Sequence, residues 1–232
     1  MTTIPANLQA VRARIAAACA AAGRAPESVR LLAVSKTWPP AALEEAFGAG
    51  QTAFGESYVQ EALPKLEALA ALPVAWHFIG PLQSNKTRPV AEHFSWVHSV
   101  ERLKIAERLS VQRPAELPPL NVCLQINVSG EESKSGCAPE QALDLAAAIA
   151  ELPRLRLRGL MAIPEPCADP AQESAMARRR FALMRTTLDR INHETGLALD
   201  TLSMGMSHDL EAAIMEGATM VRVGSAIFGA RP

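Results

Sequence analysis

Short apolar segments alternate with longer helical patterns along the whole chain, and this alternation restricts the folds that the chain can adopt. Eight of the short segments have the length and composition of buried strands. Strands that alternate with helices predict a parallel sheet whose strands are joined by crossover connections. The strand candidates are residues 30–35, 52–54, 75–79, 95–98, 120–127, 155–161, 199–204 and 219–223.

Helical patterns separate most of these strand candidates. Prolines in the first turn and glycines just past the last turn mark several of their ends. Residues 1–23 form a further amphipathic pattern before the first strand, and Arg12 and Arg14 interrupt its apolar residues, which argues against a signal peptide. The helices predicted between strands are residues 40–48, 57–71, 100–112 with Ser99 as its N-cap, 139–151, 172–195 and 208–216.

Eight strand–helix units predict an α/β fold in which the sheet closes into a (β/α)₈ TIM barrel, with one extra N-terminal helix. An open doubly wound sheet is the structural alternative. Such a sheet usually carries a glycine-rich dinucleotide turn after an early strand, whereas Ser35-Lys36-Thr37 follows the first strand here. No linker rich in proline, serine or glycine divides the chain, so we expect residues 1–232 to form a single domain.

The composition argues against several classes of partner. The formal net charge is −1, so no large field attracts nucleic acid or a membrane surface, and no apolar run is long enough to cross a bilayer. The five histidines show no ligand pattern, and we expect no metal. The cysteines are also scattered, which indicates reduced thiols and a cytoplasmic location; they are Cys19, Cys123, Cys137 and Cys167.

Lys36 is the first candidate functional residue, because the active site of a TIM barrel lies where the strands end. Strand alternation places its side chain on the same face as Leu32 and Val34. A lysine at the mouth of an apolar interior has a lowered pKa and becomes nucleophilic toward carbonyl groups. The alternative is an ordinary lysine whose stem packs while its charge stays in water.

Two glycine–serine elements follow the last two strand candidates. They are Gly205-Met206-Ser207 and Gly224-Ser225. The loops after strands 7 and 8 are the usual phosphate site of a TIM barrel, where glycine lets backbone N–H groups approach an anion and serine adds a hydroxyl donor. Simple caps and turns are the alternative interpretation.

Arg222 lies between two valines of the eighth strand candidate and therefore points to the opposite face from them. A buried arginine needs an acceptor. Glu56, Asp209 or an atom of a ligand are the candidates for that acceptor. A phosphorylated aldehyde would satisfy both the lysine and the phosphate loops, and the ring nitrogen of pyridoxal phosphate would also accept a hydrogen bond from Arg222.

At these residues the sequence resembles the YggS/PROSC family of pyridoxal-phosphate homeostasis proteins. Seven motifs carry the resemblance, in order and over nearly the whole chain. They are LLAVSKT ending at Thr37, FGESYVQEA (54–62), WHFIGPLQSNK (76–86), LQINVSGEESKSG (124–136), RGLMAIP (158–164), SMGMSHDLEAAI (203–214) and TMVRVGSAIFGAR (219–231).

The resemblance implies a barrel similar to the N-terminal domain of alanine racemase, with pyridoxal 5′-phosphate bound as a Schiff base on Lys36. It also implies an arginine facing the pyridine nitrogen, which disfavours protonation of that nitrogen and weakens the ring as an electron sink. The family usually has asparagine where this chain has Ser57, which removes an amide donor. The cofactor-binding residues implied are Lys36, Met206, Ser207, Arg222, Gly224 and Ser225.

Racemisation requires acid/base groups on both faces of the α-carbon, and in alanine racemase the second group is a tyrosine from an additional β-rich domain of the partner subunit. This sequence ends at Pro232, after the eighth unit, and its one tyrosine, Tyr58, is expected to be a rim or packing residue. We therefore expect a monomeric homeostasis protein, not an enzyme, that delivers the cofactor to apo-enzymes. The alternatives are a weakly active racemase, a Schiff-base aldolase using Glu56, and an interaction protein with a vestigial site.

Overall fold

The computed structural model describes residues 3–130, 135–165 and 173–230, and eight parallel strands within them close into a barrel. Each strand pairs with the next along the chain, and the first pairs with the last. All eight predicted strands are present, and the predicted TIM barrel is confirmed. The strands are β1 (Arg30–Val34), β2 (Ala53–Glu56), β3 (Ala75–Phe78), β4 (Trp96–Val100), β5 (Leu120–Gln125), β6 (Leu155–Met161), β7 (Thr201–Ser203) and β8 (Met220–Val223).

Helices connect successive strands, and one further helix precedes β1. The six helices predicted between strands are all present, with ends that differ by up to three residues. No helix in the described ranges is both long enough and apolar enough to span a membrane. The helices are α1 (Ile4–Ala21), α2 (Pro40–Gly48), α3 (Val59–Ala68), α4 (Thr87–His93), α5 (Leu103–Gln112), α6 (Ala142–Ala150), α7 (Glu173–Thr195), α8 (Leu210–Met215) and α9 (Ser225–Phe228).

The short helices α4 and α9 were not predicted, and the proposed N-cap at Ser99 is wrong. Helices of seven and four residues are too short to show a helical repeat of apolar residues. Strand β4 continues through Ser99, whose hydroxyl donates a 2.5 Å hydrogen bond to the carbonyl of Gly80, and α5 begins only after Arg102. Cys167 and residues 131–134 lie outside the described ranges.

The barrel has an interior distinct from the core between strands and helices. Trp96, Cys123 and Met161 form a buried cluster separate from the main core. His98 contacts Ser203 at 2.8 Å, and because β4 and β7 are not neighbours in the barrel, this contact crosses the interior. The centre of the barrel therefore carries polar and aromatic side chains, where bulky branched residues are usual.

Helix α1 packs its apolar face against the end of the chain. Leu8, Val11 and Ile15 are buried, and α1 contacts α8 and α9. Thr3 caps the helix by accepting a hydrogen bond from the backbone N–H of Ala6. The extra helix thus lies beside the loops that follow β7 and β8, so its polar residues can reach the backbone of those loops.

Candidate functional site

A cavity of about 220 Å³ opens where the strands end. The share of liquid volume that one water molecule occupies is about 30 Å³, so the cavity has room for a small organic molecule. All six residues that the sequence singled out line it: Lys36, Met206, Ser207, Arg222, Gly224 and Ser225. The other lining residues are Val34, Trp38, Ser57, Ile79, Ile163, His208 and Gly229.

Helix α3 holds the backbone on both sides of Lys36. The side-chain amine of Lys65 donates a 2.9 Å hydrogen bond to the carbonyl of Ser35. The carboxylate of Glu61 accepts a 3.1 Å hydrogen bond from the backbone N–H of Thr37. Lys36 itself is half-buried at the cavity wall. Its position is therefore determined by two side chains of a neighbouring helix as well as by the end of β1.

Thr37 has a left-handed backbone conformation, with φ of 70°. A β-branched residue at positive φ is a genuine outlier, and such strain clusters at functional sites. The hydrogen bond from its N–H group to Glu61 helps to hold this conformation. The chain therefore turns sharply immediately after Lys36.

Glu56 and Lys65 form a buried ion pair behind this segment. Their side chains are 0% and 7% exposed, and Lys65 Nζ lies 2.9 Å from Glu56 Oε1. The hydroxyl of Ser35 donates a 2.6 Å hydrogen bond to the same oxygen. Burial raises the pKa of Glu56, and the contacts with Ser35 and Lys65 oppose that shift. Glu56 therefore holds the Lys36 segment in place and does not accept from Arg222.

Arg222 is 4% exposed. Its Nη1 donates to the carbonyl and the hydroxyl of Ser203, at 2.5 and 2.9 Å, and its Nη2 donates to the carbonyl of Ala162 at 2.7 Å. Burial lowers the pKa of Arg222 to about 10, so the group stays charged at neutral pH. Of the acceptors that the sequence left open, neither carboxylate is a hydrogen-bond partner of Arg222 among the described residues, because two carbonyls and a hydroxyl accept from it.

The two serines expected at the phosphate site lie close together. Their hydroxyl oxygens, in Ser207 and Ser225, are 3.3 Å apart. Gly205 has φ of 93°, and a Cβ there would lie 2.6 Å from the Cβ of Ala213, so only glycine fits the turn that leads into Ser207. Two hydroxyl donors from different loops thus converge at one end of the cavity.

The backbone N–H of Met206 is already occupied. It donates a 2.5 Å hydrogen bond to the side chain of Asp209. The residue lines the cavity as the sequence predicts, but its N–H group stabilises the loop in this conformation. Asp209 is buried and accepts this hydrogen bond, and its negative charge also raises the pKa of Arg222.

Helix α1 braces the same loops from outside. Arg14 donates a 3.0 Å hydrogen bond to the carbonyl of Ser207 and pairs with Glu211 at 2.8 Å. Asn7 donates a 2.8 Å hydrogen bond to the carbonyl of Ile227. The N-terminal helix therefore contacts the backbone after both β7 and β8 and holds these two segments beside each other.

Trp38 is the main lining residue that the sequence did not single out. It lies two residues after Lys36 and stacks on Phe228, with ring centroids 5.8 Å apart. Its position in the loop that carries Lys36 was the feature of the sequence that could have indicated this role. Ser57, at the position where the asparagine is usual, also lines the cavity, so the substitution changes the wall of the site itself.

Known proteins resemble the chain over almost its entire length. Residues 6–232 match the family model of the alanine racemase N-terminal domain. A pyridoxal phosphate homeostasis protein of Pseudomonas aeruginosa is 65% identical to the chain over 232 residues. That similarity covers 100% of this chain and 97% of the Pseudomonas protein.

Two solved structures have the same fold at 39% identity. The crystal structure of an unknown protein from Bifidobacterium adolescentis has a TM-score of 0.90 and covers 97% of this chain and 94% of its own. PipY of Synechococcus elongatus, solved with pyridoxal phosphate bound, has a TM-score of 0.81 and covers 93% of this chain and 100% of its own. The similarities confirm the family resemblance that the sequence indicated.

Proposed function

This chain belongs to the alanine racemase N-terminal domain family and, within it, to the pyridoxal phosphate homeostasis proteins, and from this premise we propose that it holds pyridoxal 5′-phosphate as a Schiff base on Lys36. One observation carries the proposal: Lys36, the paired hydroxyls of Ser207 and Ser225, and the buried cation of Arg222 line a single cavity. The cavity thus matches the three chemical features of a phosphorylated pyridine aldehyde.

Each of these groups has a distinct role. When the aldehyde is bound, the neutral amine of Lys36 forms a carbon–nitrogen double bond with it and water leaves. Ser207 and Ser225 donate hydrogen bonds to the phosphate, while the glycine backbones leave room for it. Arg222 opposes protonation of the ring nitrogen, because a nearby positive charge disfavours a second one. This arrangement favours storage of the cofactor over carbanion chemistry on it.

We propose that the protein binds the reactive aldehyde and delivers it to apo-enzymes that depend on it. It would act in the cytoplasm as a monomer, with residues 1–232 as one domain. Two observations support a carrier: the relatives are named as homeostasis proteins, and Tyr58, the chain's one tyrosine, is 51% exposed at the start of α3 and is absent from the residues that line the cavity. A hydroxyl in that position does not act on the face of the cofactor opposite Lys36.

Reduction with borohydride tests this proposal directly, because it converts a Schiff base into a stable secondary amine. The native chain, the Lys36→Ala variant and the Lys104→Ala variant are incubated with pyridoxal phosphate, reduced and digested for mass spectrometry. Lys104 is an exposed lysine of α5 and serves as the matched control. We expect one phosphopyridoxyl group on Lys36 in the native and Lys104→Ala proteins and none in Lys36→Ala. Label spread over several lysines would contradict the proposal.

Weak racemase activity is the competing function. It predicts turnover of an amino-acid enantiomer, measured by chiral chromatography, that disappears in Lys36→Ala. The carrier predicts instead that an apo-enzyme regains activity when mixed with the loaded native protein. Turnover of an enantiomer without such transfer would favour the racemase.

A further inference from the structure

A chain of hydrogen bonds crosses the interior of the barrel from Arg222 to the opposite wall. Arg222 Nη1 donates to the hydroxyl of Ser203 at 2.9 Å, and that hydroxyl lies 2.8 Å from His98 Nδ1. His98 Nε2 lies 2.9 Å from His77 Nδ1. We call Ser203, His98 and His77 the lumen relay. All three are at most 3% exposed, so water does not compete for these hydrogen bonds.

Arginine can only donate, so the hydroxyl of Ser203 accepts from Arg222. Among the contacts of the described residues, His98 Nδ1 is the one acceptor within reach of that hydroxyl's own hydrogen. This favours the tautomer in which His98 Nδ1 accepts from Ser203 and His98 Nε2 donates to His77 Nδ1.

The relay is uncharged, and this distinguishes it from an ion pair. Burial lowers the pKa of His77 to about 3 and lowers that of His98 well below its usual value. Besides burial, the charge of Arg30 lowers the pKa of His77, and that of Arg222 lowers the pKa of His98. Asp209 and Cys123 raise the pKa of Arg222. Burial also raises the pKa of Cys123 to about 12, so its thiol is neutral.

We propose that Ser203, His98 and His77 are positioning residues of the cofactor site, and that they hold Arg222 through uncharged hydrogen-bond acceptors, so that the groups that orient the guanidinium do not themselves neutralise its charge. This inference rests on the proposed function, because the charge is useful only if a ring nitrogen and a Schiff base lie next to it. A carboxylate in place of the relay would orient the guanidinium equally well but would neutralise its field. The relay gives orientation without neutralisation.

Two pairs of variants test the proposal. Ser203→Ala removes the hydroxyl, whereas Ser203→Thr keeps it. His77→Leu removes the acceptor for His98, whereas His77→Asn keeps an acceptor oxygen near the position of Nδ1. The readouts are the dissociation constant for pyridoxal phosphate and the pH midpoint of the visible absorbance of the bound Schiff base. Thermal melting of each cofactor-free protein shows that it is folded.

For Ser203→Ala we expect pyridoxal phosphate to bind on the order of tenfold more weakly, as the loss of a hydrogen bond to a charged group predicts. The pH midpoint should also rise, because a displaced guanidinium repels the proton of the Schiff base less. Ser203→Thr should have the native dissociation constant and pH midpoint. His77→Leu should show the same changes as Ser203→Ala but smaller ones. His77→Asn should resemble the native protein. Unchanged midpoints in Ser203→Ala and His77→Leu would overturn the proposal, since a purely structural role lowers stability without shifting them.

A measurement without cofactor separates this inference from the proposed function. In the cofactor-free native protein, ¹⁵N NMR of the histidine rings reports which nitrogen of His98 carries the hydrogen. The relay requires Nε2–H, and a hydrogen on Nδ1 or a charged ring would overturn it whatever the result with pyridoxal phosphate. If His98 has the required tautomer but the native protein forms no Schiff base on Lys36, the proposed function fails, and the role of the relay in cofactor binding fails with it.

Discussion

The side-chain amine of Lys65 donates a 2.9 Å hydrogen bond to the backbone carbonyl of Ser35, the residue that precedes Lys36. Two lysines therefore lie near the end of β1, in different environments. Lys65 is buried and paired with Glu56, whereas Lys36 is half-buried at the cavity. The buried lysine holds the backbone of the segment that carries the candidate reactive one, so the same side chain supports the fold and the proposed cofactor site.

Replacing Lys65 by methionine should destabilise the protein by roughly 3 kcal/mol, because Glu56 would be left without its buried partner. Urea unfolding followed by circular dichroism measures the change. Lys104→Met is the control, and as a substitution of an exposed residue it should change the free energy of unfolding by less than about 0.5 kcal/mol. In the double variant Lys65→Met, Glu56→Gln, part of the loss should be recovered, because the buried charge is gone. If the losses of stability in the two single variants simply add in the double variant, Lys65 and Glu56 do not stabilise the fold as a pair.

The substitution Thr37→Gly should stabilise the protein. The φ of 70° at Thr37 is strained for a β-branched residue, and glycine adopts it freely. Glycine also loses more conformational entropy on folding, which offsets part of the relieved strain. We therefore expect a net gain of about 1 kcal/mol in the free energy of unfolding. The same substitution at Thr52, an exposed residue without positive φ, should destabilise. Loss of stability in both variants would show that the turn stores no strain.

The two serine hydroxyls should determine the preference for a phosphorylated ligand. We expect the double variant Ser207→Ala, Ser225→Ala to bind pyridoxal phosphate on the order of tenfold or more weakly, since each hydroxyl donates to a charged group. Binding of pyridoxal, which lacks the phosphate, should change little. Fluorescence titration with both ligands measures the ratio, and Ser28→Ala, an exposed serine before β1, is the control. An equal loss for both ligands would place the phosphate elsewhere.

Acid should destabilise the protein through the buried histidines. The pKa of His77 is about 3 in the folded protein and about 6.5 when unfolded. Between these pH values the unfolded chain binds a proton that the folded chain does not, so the free energy of unfolding falls as the pH is lowered. The decrease is about 1.4 kcal/mol per pH unit at pH values well inside this range. Glu56, with a raised pKa, acts in the opposite direction above its unfolded pKa.

Urea unfolding between pH 7 and pH 5 measures this dependence for the native protein and His77→Phe. The slope should be smaller in His77→Phe, because the unfolded chain has lost one proton acceptor. His93→Phe is the control, since His93 is exposed in the folded protein. Equal slopes in the native protein and His77→Phe would show that folding does not shift the pKa of His77.

The repeated alternation of strands and helices was enough to predict the barrel and the face on which the site lies. In a closed parallel barrel the carboxyl ends of all strands meet at one rim, so Lys36, Ser207 and Ser225 could be placed together although they lie far apart in the chain. Helix ends and the helices α4 and α9 were not predicted correctly, because a short helix lacks a periodic pattern.

The sequence by itself determined the barrel, the rim where the cavity opens and six of the residues that line it, since these depend on local patterns and on a symmetric topology. Only the tertiary structure decided which groups satisfy Arg222, which residues hold Lys36, and that His98 contacts Ser203, 105 residues away. Such contacts depend on the distance and orientation of side chains from different strands. Local sequence patterns predict neither that distance nor that orientation, so these contacts could be identified only from the tertiary structure.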